Sequence, residues 1–268
     1  MKLAWLTDVH LNFLNYHAVN AFFRTVTETP CDGVLLSGDF GEAPDVASLL
    51  NKLGIVFAGP IYFVLGNHDF YRGSIAGVRE SMADLHDRGS NLHYLPRSGV
   101  VGLTEKSCLV GADGWGDGRY GDYWGRRVSV NDWRLIEEFD WLDDTKRLAK
   151  LNELGDEAAD HLKTVLPDAL ERFEHVLLVT HVPPFRESCW HEGRISDDDW
   201  LPHFACKAVG DILLDTMKRW PNRQRPLVAR RNQNGKPLLS PRPSQNRHDQ
   251  ERAKPLGSGA DVSCSGGG

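Results

Sequence analysis

The run Ile61-Tyr62-Phe63-Val64-Leu65-Gly66-Asn67-His68-Asp69 decides how the chain is read. Five apolar residues without polar alternation suit a strand covered on both faces, as in a parallel sheet. Gly66 then permits a sharp turn. Asn67, His68 and Asp69 fall just past the strand end, the edge at which open α/β sheets bind their ligands. Three other segments share this form: Asp8-Val9-His10 after an apolar run from Leu3, Gly38-Asp39 after Gly33–Ser37, and Thr180-His181 after His175–Val179. Singly they are weak. Asp8 and His10 read equally well as a helix cap and a surface histidine, and Gly-Asp is ordinary turn material. Four such convergences on one sheet edge point to a metal site.

Working outward, strands alternate with amphipathic stretches through the first ninety residues. His17–Glu28, Ala43–Leu53 and Ile75–Arg88 carry helical periodicity, and Gly89 closes the last of them. This spacing predicts βαβ units with right-handed crossovers and a mostly parallel sheet. From Asn91 the texture changes. Leu92–Leu95, Gly99–Thr104 and Ser107–Ala112 follow one another without helices, which predicts a second, more antiparallel sheet. Gly111–Gly125 is a glycine-aromatic loop, helical patterns return from about Val130, Asp156–Leu166 leads into the strand His175–Thr180, Trp190–Phe204 is a loop rich in charge and aromatics, and Lys207–Arg219 is the last clear helix.

With 268 residues, 41% of them hydrophobic, the chain can bury a substantial core. The net charge of −6 disfavours a long nucleic acid as an electrostatic partner. No apolar run approaches the roughly 20 residues that span a bilayer, and Asp8 and His10 interrupt the N-terminal apolar stretch too early for a signal peptide. Five scattered cysteines without a C-x-x-C pair support neither a disulfide framework nor a structural zinc site. A cytoplasmic protein with free thiols is expected.

After Gln224 the composition breaks. Residues 225–268 contain no Phe, Trp or Tyr, and carry eight Lys/Arg against three acids. Two units are therefore expected: residues 1–224 as the folded domain, and 225–268 as a basic, disordered or aberrant tail, either an ordinary appendage or the result of a lost reading frame.

The order D-x-H, G-D, G-N-H-D and a later strand ending in His resembles the calcineurin-like metallophosphoesterase family over about residues 1–224. The fold this resemblance implies is an α/β four-layer α/β/β/α sandwich with mixed sheets. It implies two divalent metal ions, Asp8 and His10 binding one, Asn67 and His181 the other, and Asp39 bridging both. His68 would contact the scissile phosphate and assist the leaving group as general acid. The expected chemistry is hydrolysis of a phosphomonoester or phosphodiester through a water activated between the two metals. Imidazole mixed with oxygen ligands suits Mn²⁺, with Fe or Zn²⁺ as alternatives.

The family pattern also ends in Gly-His-x-His after one more strand. Here the chain reads Arg225-Pro226-Leu227-Val228-Ala229-Arg230-Arg231, with no histidine before His248. The expectation is that the C-terminal strands are lost and that the enzyme is impaired, or is a non-enzymatic remnant with weak metal and phosphate binding. Secondary candidates for the substrate phosphate are His191 and Arg194, and Asp113, Trp115 and Tyr120–Trp124 could form a substrate wall. His203 could stand in for a missing ligand, and Asp197–Asp199 could bind metal but reads more readily as a helix N-terminal cluster. A small phosphorylated molecule or a phosphoprotein is the expected substrate, with no membrane partner.

Overall fold

Strands β1 (Leu3–Leu6), β2 (Gly33–Ser37), β3 (Ile61–Val64) and β4 (Leu92–Tyr94) lie side by side in that order, all parallel. They belong to a computed structural model that describes residues 1–191, 193–220, 227–231 and 237–240. Helices α1 (Tyr16–Glu28), α2 (Val46–Val56) and α3 (Ile75–Asp87) make the crossovers. Their starts follow from local chemistry: the Asn15 side chain accepts the Ala18 N–H at 3.0 Å, and the Ser74 hydroxyl accepts the Gly77 N–H at 3.0 Å.

The chain then passes the short helix α4 (Leu95–Ser98) and enters a second sheet. This contains β5 (Val101–Gly102), β6 (Ser107–Gly111) and, after the four-residue helix α5 (Asp132–Leu135) and the long helix α6 (Asp144–Arg172), β7 (His175–Val179). A two-residue hairpin, β8 (Trp190–His191) with β9 (Arg194–Ile195), and helices α7 (Leu201–Phe204) and α8 (Lys207–Arg219) follow. No helix among the described residues is long and apolar enough to cross a membrane.

Strand alternation sorts the side chains into three cores. Val34, Leu36, Ile61 and Phe63 pack outward on α1–α3 with Phe23, Leu50, Leu53 and Met82. Leu35, Tyr62, Val64, Leu109 and Val179 meet between the two sheets. Cys108, Val110, Val176 and Leu178 face α6 and α8 through Leu162, Leu166, Leu170, Val209 and Leu213. Helix, sheet, sheet and helix thus stack in four layers, and a strand buried on both faces explains why the apolar runs show no polar alternation.

Three expectations need correction. Leu92–Tyr94 joins the first sheet, parallel to β3, instead of opening the second. The second sheet is mixed: β6, β7 and β10 run parallel, and only the edge pairs β5–β6 and β10–β11 are antiparallel. Most importantly, the tail is not devoid of strands. β10 (Leu227–Arg231) pairs parallel with β7, Leu227 opposite Leu177 and Ala229 opposite Val179, and β11 (Pro237–Ser240) pairs antiparallel with β10. Joining a sheet edge needs backbone N–H and C=O groups, which three consecutive apolar residues, Leu227–Ala229, supply without an aromatic. Residues 232–236 carry no histidine in sequence and lie outside the described residues, as does His248.

Candidate active site

Asp39 is the centre of the site. Its carboxylate is buried, with Oδ1 accepting the His68 backbone N–H at 3.0 Å. Its Oδ2 faces His181 Nε2 at 3.4 Å and His10 Nε2 at 3.8 Å. His181 Nδ1 donates to the Ser37 carbonyl at 2.9 Å, which turns Nε2 toward Asp39. Burial works against a charged His181, but Asp39 outweighs it and lifts the pKa to about 10. For Asp39 burial pushes upward, and the His181 imidazole, aided by His68 and His10, holds the carboxyl well below the usual range.

Two sets of ligand-type atoms share this carboxylate: His10, Asp39 and His68, and Asp8, Asp39 and His181, each set lying within 4.8 Å. His10 Nδ1 and His68 Nδ1 are buried without a hydrogen-bond partner. Converging carboxylates and imidazoles with unmatched nitrogens fit divalent cations, which satisfy what no protein donor does here. Asn67 lines the same cavity, and its amide nitrogen donates to Asp132 Oδ1 at 2.9 Å. Tyr71 Oη donates to that same oxygen at 2.7 Å, and the Tyr71 ring stacks on His68 at 4.3 Å.

The loops carrying these groups are held in strained but over-determined conformations. Asp8, His10 and Asp39 have φ of 50°, 46° and 55°, in the left-handed region that ordinary residues avoid. Asp8 N–H donates to the Gly38 carbonyl at 3.1 Å and His10 N–H to the Asp39 carbonyl at 3.0 Å, tying the first two loops together. Fully buried Asp69 accepts four backbone N–H bonds, from Asp39, Phe40, Gly41 and Gly66, at 2.8–2.9 Å. Burial and the Asp39 charge raise its pKa, whereas the N–H donors favour the carboxylate. A Cβ on Gly66 would lie 2.7 Å from Asp39 N and 2.8 Å from His181 Cε1, so only glycine fits that approach.

A family model described as calcineurin-like phosphoesterase matches residues 1–213. The chain belongs to the calcineurin-like phosphoesterase family. It is a hydrolase of the metal-dependent phosphoesterase class. Among solved structures, a phosphopantetheinyl hydrolase from Mycobacterium tuberculosis is 16% identical with a TM-score of 0.57, over 82% of this chain and 79% of that one. A dimetal phosphatase from Danio rerio, also 16% identical, matches with a TM-score of 0.41 over 80% and 77%. GAP50, the anchor in the inner membrane complex of Plasmodium, is 14% identical with a TM-score of 0.43 over 82% and 62%. The first of these likenesses shows the shared fold. No curated protein matches.

In this phosphoesterase the structure brings Asp8, His10, Asp39, Asn67, His68 and His181 to one cavity of about 460 Å³. The secondary candidates fare differently. Arg194 is exposed on β9 and is not among the lining residues, and the side chain of His191 lies outside the described residues. Asp113 is no wall residue: it is buried, accepting the Leu65 N–H at 2.9 Å and pairing with Arg79 at 3.2 Å. Trp115 stacks on Phe70 in the core. The wall comes instead from the other loop, through Trp190, Trp200, His203 and Phe204. Asp197 acts as a turn cap, its Oδ1 accepting the Asp199 and Trp200 N–H groups. Asp69, Tyr71 and Asp132 were missed as supports; Asp69 lies inside the legible motif, but nothing local marks Asp132.

Proposed function

We propose that the chain hydrolyses a phosphate ester at this cavity with two divalent cations. Asp8 and His10 would hold one, Asn67 and His181 the other, and Asp39 would be shared. The observation that carries the reading is the single Asp39 carboxylate belonging to both ligand sets, although those sets group Asp8 with His181 and His10 with His68. Bound there, the dications supply Lewis acidity toward phosphoryl oxygens and make water acidic enough to attack near neutral pH. To hold a cation His181 would have to be the neutral imidazole, without the proton that Asp39 otherwise stabilises. Asp132 orients the Asn67 amide, and Tyr71 braces the His68 ring. His68 holds the proton that the leaving oxygen takes up. Mn²⁺ suits the donor set, with Fe and Zn²⁺ as alternatives. The substrate is a small phosphorylated molecule or a phosphoprotein, and cytoplasmic residence fits five cysteines scattered without a C-x-x-C pair.

The test is hydrolysis of bis(p-nitrophenyl) phosphate and p-nitrophenyl phosphate with Mn²⁺, beside Asp39→Asn, together with Mn²⁺-dependent melting. Turnover and stabilisation that Asp39→Asn abolishes are the expected result. A specific observation favours a second reading: no Gly-His-x-His follows β10 in the sequence. A remnant that binds metal or phosphate weakly would show a small melting shift and no turnover.

A further inference from the structure

The cavity lining is of two chemical kinds. Beside the polar groups gathered about Asp39 it includes an apolar, aromatic wall to which Trp190, Trp200 and Phe204 contribute. Trp190 and Trp200 keep 41% and 39% of their surface exposed, so the core does not account for them. Both indoles are held in place. Trp190 Nε1 donates to the Glu187 carbonyl at 2.9 Å, and Trp200 packs on Phe204 with ring centres 5.6 Å apart. Flat, fixed rings beside a polar pole favour a ligand that is itself charged at one end and flat at the other.

Cations are absent from this wall. No lysine or arginine occurs among the described residues that line the cavity. Arginines around the wall are already engaged by carboxylates: Arg127 pairs with Asp199 at 3.0 Å, Arg186 with Asp198, and Arg126, which acts on His203, with Asp144 at 2.9 Å. A second phosphate would find no such partner among these side chains, and desolvating it unpaired is costly. His203 completes the wall. It is buried between Trp133 and Tyr123, and neither ring nitrogen has a hydrogen-bond partner. Burial holds it neutral, so it offers one donor and one acceptor.

We infer that the substrate carries a single phosphoryl group and a flat aromatic ring system, with the phosphoryl at the Asp39 pole and the ring against Trp200 and Trp190. The inference rests on the phosphoesterase reading above and narrows it. Ring systems of this kind come from two sources, nucleoside monophosphates and simple aryl phosphates; His203, able to pair with ring heteroatoms, distinguishes them.

The experiment is equilibrium binding to the full chain, followed by tryptophan fluorescence and calorimetry with and without Mn²⁺. The probes are AMP, ADP, 1-naphthyl phosphate and glycerol 2-phosphate. The expected result is that AMP and 1-naphthyl phosphate bind about tenfold or more tighter than glycerol 2-phosphate, the scale of one aromatic stacking contact, and that ADP gains nothing over AMP. Trp200→Ala, or Trp190→Ala should the first variant misfold, brings the aromatic esters down to the glycerol 2-phosphate value. His203→Leu weakens AMP alone if the nucleotide is the source, and neither ester if the aryl phosphate is. Equal binding of all the monophosphates, or tighter binding of ADP, overturns the inference and leaves the phosphoesterase reading standing. No binding by any phosphate ester, with or without Mn²⁺, overturns that reading and the inference with it.

Discussion

Gly66 and Asp132 show how closely the site depends on single residues. A methyl group at Gly66 enters the space between Asp39 and His181. Gly66→Ala is therefore expected to cost roughly 1–3 kcal/mol by overpacking and to abolish Mn²⁺-dependent stabilisation; denaturant melts with and without Mn²⁺ check both. Asp132 acts through Asn67 and Tyr71, accepting a hydrogen bond from each on the same oxygen. Its segment is docked independently by backbone bonds, Arg72 N–H to the Leu135 carbonyl and Glu137 N–H to the Gly73 carbonyl. Asp132→Ala should therefore keep the fold and weaken Mn²⁺ binding about 10–100-fold, the usual effect of removing a group that orients a ligand. Calorimetric titration of the folded variant decides this, and unchanged affinity would show that Asn67 needs no such support.

Between elements, the critical joint is Asp69. Its four N–H bonds fasten the turn after β2 to the turn after β3. Asp69→Ala leaves buried donors unmatched, at about 1–3 kcal/mol for each that water cannot reach. The expected outcome is a loss of several kcal/mol in urea unfolding and, because both turns carry site residues, loss of Mn²⁺ binding in whatever fraction stays folded. Each of the four turns was legible as an apolar run ending in a polar group, because a strand buried on both faces leaves a continuous local signature. The long helix α6 was legible in type but not in extent. Helical pattern is readable from about Val130 through Asp156–Leu166, whereas the 29-residue helix runs Asp144–Arg172 and its stripe of Leu151, Leu154, Ala158, Leu162, Leu166 and Leu170 continues past Pro167. A proline normally argues for a stop, and here burial against the second sheet outweighs it.

Across the whole molecule, burial of His203 links stability to pH. The group titrates near 6.5 when unfolded and near 4 when folded, burial being the chief cause, with Arg126 adding to it and Asp144 opposing it. The unfolded chain takes up the proton first, so the full contribution is present above pH 6.5 and is lost as pH falls toward 4. A shift of that size corresponds to roughly 3 kcal/mol. Melting temperatures between pH 7.5 and 4.5 should fall on this limb, and His203→Leu should flatten it; an unaltered acid limb would assign the loss to other groups.

The sequence by itself determined the βαβ order, the four strand-end motifs and hence the membership, and it named six residues that meet in the cavity, because periodicity and turn chemistry act over a few residues. Tertiary structure alone decided the rest. It placed β10 on the edge of β7, sent Leu92–Tyr94 to the first sheet, buried Asp113 and Trp115, and set Asp132, Trp200 and His203 around the cavity. Those outcomes turn on which open edge or empty space lies nearest once the layers have packed, and contacts between residues tens of positions apart leave no mark in local pattern.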